Sequence, residues 1–188
     1  MISHLSGTVL FTSQDSITLS VSGVGYRVFT TPGFVGSVTQ GDAAALYTHM
    51  AVRENAIELF GFTTPLELRF FEMLLSVSGI GPRSALAILA LADPGVIIAA
   101  IQKGDSAYLT TVSGIGRKTA EKIVLELREK AALLSVEAGI ADGDADVIAA
   151  LQSLGYNAQE AREALRMVPT EIEDTGKNIS EALKHLAK

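Results

Sequence analysis

Val77-Ser78-Gly79-Ile80-Gly81 recurs unchanged, 35 residues on, as Val112-Ser113-Gly114-Ile115-Gly116. At the same offset Arg83 aligns with Lys118, Ser84 with Thr119, Ala85 with Ala120 and Ile88 with Ile123. A shared pentapeptide with matching residues downstream is an internal duplication of a helix–turn–helix unit. The local physics predicts its shape. A helix ends at Val77 or Ser78, and Gly79 takes the left-handed conformation that terminates it without a Cβ clash. Ile80 plugs the hairpin into the core between two helices, and Gly81 leaves room for another backbone to approach. The next helix begins at once, so its unpaired N–H groups and the positive end of its dipole face outward. That surface suits a phosphate. The predicted contacts are Gly79, Ile80, Gly81, Arg83 and Ser84 in the first copy. In the second they are Gly114, Ile115, Gly116, Arg117, Lys118, Thr119 and Lys122. Contacts of this kind position a protein on a sugar–phosphate chain without reading bases, so binding is expected to ignore sequence and respond to salt. One such turn could equally be a tight link between packed helices; two identical turns, each followed by cations, favour the phosphate surface.

Upstream of the repeat the pattern changes. Residues 1–63 read as strands, with alternation in Thr8-Val9-Leu10-Phe11 and Ile17-Thr18-Leu19-Ser20-Val21. Further candidates are Tyr26–Phe29, Ala45–Met50 and Ala56–Phe62, and turn signals fall at Ser13-Gln14-Asp15, Gly23-Val24-Gly25 and Pro32-Gly33. Several short strands in about sixty residues suggest a small closed barrel, because closure removes exposed edges. At Thr64 the apolar period becomes helical, and Thr64-Pro65 supplies an N-cap followed by proline at the first helical position. Helical patterns run to about Leu134, broken by glycine turns. Residues 135–143 read as a linker, holding two glycines and no apolar stripe. Residues 144–188 hold three short helix candidates. The first carries Val147, Ile148, Leu151 and Leu154 and stops at Gly155. The second starts at Asn157 with Glu160 three residues on, and the third at Asn178 with Glu181 three residues on, both with capping-box spacing. The expected class is multidomain α+β: a barrel (1–63), an all-α tandem repeat (64–134), a linker (135–143) and a three-helix bundle (144–188).

The 188 residues include no cysteine, which removes disulfides, thiolate metal sites and thiol nucleophiles together. Met1 to Leu5 show no signal peptide, and the most apolar region, Ala85–Ile101, is interrupted by Asp93-Pro94-Gly95, so a cytoplasmic protein with no membrane contact is expected. The net charge of −6 is unevenly spread. Residues 1–63 carry two basic and four acidic side chains, residues 64–134 eight and seven, and residues 135–188 five and ten. The repeat lies in the least acidic segment, so net charge does not exclude nucleic acid. No GxxxxGK[ST] sequence is present: Gly176-Lys177-Asn178 lacks the hydroxyl, and Arg117 stands where a glycine would precede Lys118. His4, His49 and His185 share no ligand spacing, so no metal and no cofactor are expected. No serine or threonine has an evident histidine partner, and no catalytic residue is assigned.

The duplicated unit resembles the helix-hairpin-helix motif of DNA-binding proteins. Gly114-Ile115-Gly116-Arg117-Lys118-Thr119-Ala120 is also similar to the hairpin of base-excision glycosylases, in which a lysine at the position of Lys118 attacks and an aspartate eighteen residues on assists. Here that second position is Val136, which cannot act as a base.

Across nearly its whole length the chain resembles the bacterial RuvA family of Holliday-junction branch-migration subunits. The matching stretches include Gly23-Val24-Gly25-Tyr26, Val52-Arg53-Glu54-Asn55, Leu59-Phe60-Gly61-Phe62, both glycine hairpins and Leu154-Gly155-Tyr156. The resemblance implies an oligonucleotide/oligosaccharide-binding (OB-fold) barrel, a tandem helix-hairpin-helix domain and a UBA-like three-helix tail. It implies a homotetramer, or an octamer on DNA, that holds a four-way junction open and flat in recombination and repair. It implies the RuvB ATPase motor as partner, with ATP hydrolysis in RuvB, and the RuvC resolvase beside it. Family members carry two adjacent acids, the acidic pin, at the positions of Glu54 and Asn55. Asn55 leaves one formal charge fewer, so Glu54 would carry the role, assisted by Glu58, unless Glu54 is an ordinary solvated turn residue. The tail positions matching the motor-docking face are Leu151, Leu154, Tyr156 and Leu183. Leu151 and Leu154 serve equally well as bundle core, and Tyr156, after a helix-ending glycine, is the better surface candidate. The alternatives are a helix-hairpin-helix nuclease or glycosylase with unrecognised catalytic residues, and a protein-interaction scaffold whose turns never meet DNA.

Overall fold

A computed structural model describes residues 1–137, 144–168 and 174–186. Five strands, β1 (His4–Thr12), β2 (Ser16–Val21), β3 (Val24–Phe29), β4 (Ala43–Arg53) and β5 (Ala56–Phe62), close into a barrel in the order β1-β2-β3-β5-β4. The pairings are antiparallel except β3 with β5, where Val28 and Phe29 lie beside Leu59 and Phe60. Alternation delivers Leu5, Val9, Ile17, Leu19, Val28, Leu46 and Leu59 to the barrel interior. Gly61 is required there, because a Cβ would lie 2.4 Å from the Val28 side chain and 2.8 Å from that of Leu46.

Two turn readings shift. The β2–β3 turn is Ser22-Gly23, both at positive φ as the right-handed twist of a tight hairpin favours, and Val24 and Gly25 already belong to β3. Pro32-Gly33 opens a short helix, α1 (Pro32–Ser37), with Thr31 accepting from the Phe34 N–H.

The helical part comprises α2 (Pro65–Leu75), α3 (Pro82–Leu89), α4 (Pro94–Lys103), α5 (Ser106–Leu109) and α6 (Arg117–Glu137). Proline occupies the first turn of α1 to α4, where its missing N–H and fixed φ cost nothing. Thr64 and Glu67 form a reciprocal capping box on α2. The change of period at Thr64 is not an end of the core. Phe60 and Phe62 of β5 pack with Phe70 and Phe71 of α2 in one continuous apolar cluster that reaches Leu134. Phe60 and Phe71 are 5.5 Å apart and Phe62 and Phe71 4.7 Å, distances at which ring pairs add attraction beyond their area.

Residues 135–137, expected in the linker, continue α6; residues 138–143 lie outside those described. Beyond them come α7 (Asp144–Ser153), α8 (Ala158–Arg166) and α9 (Thr175–Leu186), packed around Val147, Ile148, Leu151, Ala161, Ala164, Val168 and Ala182. Asn157 and Glu160 exchange the two hydrogen bonds that their spacing predicts, at 2.8 and 2.9 Å. The third helix starts one turn earlier than expected. Asp174 accepts from the Lys177 N–H, and Asn178 lies inside the helix, because an aspartate upstream captures the free amides first. No single helix among the described residues is long and apolar enough to cross a membrane; the apolar pair α3 and α4 is bent by 99°.

Candidate nucleic-acid interface

The two glycine hairpins are the same object built twice. Leu74 and Leu109, Val77 and Val112, Ile80 and Ile115, Ala85 and Ala120, and Ile88 and Ile123 are pairwise buried. Gly79 has φ +98° and Gly114 φ +88°. The Ile80 N–H donates to the Val77 carbonyl at 3.0 Å, and the Ile115 N–H to the Val112 carbonyl at 3.0 Å. The Ala85 N–H donates to the Gly81 carbonyl at 2.9 Å, and the Ala120 N–H to the Gly116 carbonyl at 3.0 Å. The incoming helix stops sooner than the sequence reading places it, at Leu75 with Ser76 as C-cap. Val77, read as a helix end, is instead a buried turn residue. In the second copy Gly104, at φ +80°, divides the incoming helix into α4 and the single turn α5.

A Cβ added at Gly79, Gly81, Gly114 or Gly116 would meet nothing within 4 Å, so both turns open to solvent within this chain. Gly81 caps α3 without a side-chain hydrogen bond. The first amides of α3 and α6 have no acceptor within their own helix. The copies differ at the next position. Pro82 removes one donor from the first, whereas Arg117 supplies one in the second.

The cations also differ. Arg117 is 87 % exposed, and its guanidinium donates to Glu121 at 2.8 Å. That bond raises its pKa above the ordinary arginine value. Lys118 is exposed with no ion-pair partner among the described residues, and Thr119 is half-buried. Lys122, expected to face DNA, bridges the copies: its Nζ donates to the Ser78 carbonyl at 2.9 Å and lies 3.7 Å from Glu126.

Arg83 is placed elsewhere than expected. Its guanidinium lies 3.6 Å above the Phe29 ring and donates to Asp15 at 2.7 Å and to Glu58 at 2.9 Å. The barrel thus holds the side chain at the start of α3. Ser84 beside it is half-buried. Sequence reading missed Asp15 and Phe29 and gave Glu58 a different role, because nothing local signals contacts across 25 to 68 residues of chain.

Glu54 and Asn55 form the exposed two-residue tip of the β4–β5 hairpin, between Arg53 and Ala56. Glu58, suggested as a helper there, is instead half-buried in its bond to Arg83. In the tail, Leu151 is fully buried and belongs to the core, and Tyr156 and Leu183 pack half-buried against it. Leu154, at 59 % exposed, is the surface residue, rather than Tyr156. Met167, exposed to a similar degree, carries no sequence signal that would have marked it.

A five-stranded barrel fused through its core to two equivalent hairpins, each presenting bare helix starts, defines the barrel-plus-tandem-helix-hairpin-helix class. The chain belongs to the RuvA family: the RuvA N terminal domain matches residues 1–61, the SAM-like helix-hairpin-helix tandem residues 71–129 and the RuvA C-terminal domain residues 144–187. Similar curated proteins are Holliday junction branch migration complex subunits RuvA. That of Limosilactobacillus fermentum is 38% identical over 201 residues, covering 100% of both chains. That of Herpetosiphon aurantiacus is 40% identical over 195 residues, covering 98% of each. That of Clavibacter michiganensis subsp. michiganensis is 42% identical over 181 residues, covering 94% of this chain and 85% of the relative.

Proposed function

We propose that this chain is a structure-specific DNA-binding subunit of a branch-migration complex, acting in the cytoplasm. It binds a four-way junction as a tetramer, or as an octamer on DNA, keeps the arms open and flat, and loads a RuvB-type motor that hydrolyses the ATP. Residues 1–63 form the assembling barrel, residues 64–134 the DNA grip, and residues 144–188 the motor-docking tail on the linker between. The observation that carries this reading is the pair of solvent-open glycine hairpins with matching φ and matching hydrogen bonds, each opening a helix whose first amides lack an acceptor within the helix. Two such helix starts on one rigid unit suit two phosphates of a duplex.

In this reading Gly114 to Thr119 form the stronger grip, having one more amide and two exposed cations. The first hairpin holds phosphate chiefly through its backbone at Gly79 to Ser84. Glu54 at the barrel tip repels strands near the crossover, and Asn55 contributes no charge. Leu154, with the half-buried Tyr156 and Leu183, offers the motor its apolar contact.

Gel shifts with a four-way junction and with linear duplex of equal length test the proposal. Tighter binding to the junction, without cleavage or base release when divalent metal is added, is expected. Equal affinity for the two DNAs, or cleavage, overturns it.

A further inference from the structure

Arg83 sits where its counterpart Lys118 is solvent-facing, yet it faces the barrel. Three elements meet around its guanidinium: Asp15 from the β1–β2 turn, Glu58 from β5 and the Phe29 ring from β3. Each is itself fixed. The Asp15 carbonyl accepts from the Thr30 N–H at 3.0 Å, which ties that turn to the end of β3. Phe29 pairs with Phe60 across the parallel strands and lies 5.7 Å from its ring. Glu58 shares a strand face with Phe60 and Phe62, which bury against α2. The face of β5 that receives the helical unit therefore continues, two residues toward the Glu54 tip, into the carboxylate that takes Arg83.

The aromatic cluster holds α2 on the barrel, but the first glycine hairpin lies beyond the end of α2. Arg83, two residues after Gly81, ties the far side of that hairpin to the same barrel. An exposed ion pair is a weak contributor to stability. A planar fork divided between two carboxylates and stacked on a ring is a geometric device that lysine cannot reproduce.

We propose that Arg83 is a positioning residue that locks the first hairpin to the barrel, fixing the hairpin's angle to the Glu54 tip, rather than a phosphate ligand. The inference rests on the reading of the hairpins as DNA grips and adds what aligns one of them. It explains why a positive side chain beside a DNA-facing turn is spent on two acids of its own chain.

The test compares Arg83→Ala, Arg83→Lys, Asp15→Asn and Glu58→Gln in the full chain. A positioning lock predicts that all four lower the preference for four-way over linear DNA by about fivefold or more, with Arg83→Lys no better than Arg83→Ala. The salt slope of binding stays at the wild-type value, because every phosphate contact is kept. A phosphate ligand predicts the reverse. Arg83→Lys would bind normally, Arg83→Ala would lower the slope by about 0.9, and Asp15→Asn or Glu58→Gln would tighten binding by freeing the arginine. That pattern overturns the proposal.

A DNA-free arm uses the absence of cysteine. Spin labels at Gln40→Cys on the barrel side and Ser78→Cys on the hairpin, in labelled chains diluted with unlabelled ones, read the angle directly. Arg83→Ala and Arg83→Lys should broaden a narrow distance distribution; an unchanged distribution overturns the lock. Should the wild-type chain bind neither DNA, the functional reading fails, and the spin-label arm alone decides the lock.

Discussion

Replacing Arg117 and Lys118 together by alanine removes the two cations that the second hairpin leaves exposed at the start of α6. Neither side chain packs in a core, and the bond from Arg117 to Glu121 is an exposed i,i+4 pair, so the fold should be untouched. The effect on binding is electrostatic. Each phosphate neutralised by a cation contributes about −0.9 to the slope of log affinity against log salt. Taking two such cations from a subunit engaged on duplex DNA flattens the slope by about 1.8. Between about 50 and 200 mM salt, wild-type affinity should then fall about twelvefold more than that of the double variant. Fluorescence anisotropy on a labelled duplex arm across that range reads both slopes. Lys122→Ala is the internal control. Its Nζ is occupied by the Ser78 carbonyl, so it should weaken binding with a smaller change of slope. Parallel lines for the wild type and the double variant would refute the assignment of Arg117 and Lys118 to phosphates.

Ile80→Ala and Ile115→Ala should each cost about 2–3 kcal/mol, the lower part of the range for truncating a buried isoleucine, because a site beside a surface turn can partly collapse. Hydrogen exchange over residues 65–134 measures both, and costs differing by more than about 1 kcal/mol would contradict equivalent packing. Gly114→Ala should destabilise by about 1–2 kcal/mol from its positive φ alone, since a Cβ there meets nothing. Gly116→Ala carries no such strain and should lower DNA affinity more than stability, as titration with DNA beside urea denaturation will show. In the tail, Leu151→Ala should cost about 2–5 kcal/mol while Leu154→Ala leaves the bundle intact and weakens motor stimulation. Deleting residues 144–188 should spare junction binding and abolish stimulation of the motor's branch migration; normal migration by the truncated chain would exclude the docking role.

Much of this was legible in the chain itself. Strand alternation and turn residues are local signals, and they marked the five strands of the barrel. The pentapeptide repeat located both hairpins, because a positive-φ glycine and a buried isoleucine are demanded within three residues of each other. Asn157 with Glu160 was readable for the same reason. The misreadings are also local in origin. Asn178 has the spacing of a cap, yet Asp174 lies closer to the free amides. The residues around Pro32 read as a turn and fold into a helix.

The sequence by itself determined which backbone shapes form, since capping, glycine conformation and apolar period act over a few residues. What each cation does was decided only by the tertiary structure. Arg83 and Lys118 occupy equivalent places in the repeat and read alike in one dimension. Closure of the barrel brings Asp15, Glu58 and Phe29 around Arg83, while no acid among the described residues is brought into an ion pair with Lys118. A charge is drawn to whichever opposite charge and polarisable face lie within a few ångströms, and that distance is set by the packing of elements far apart in the chain.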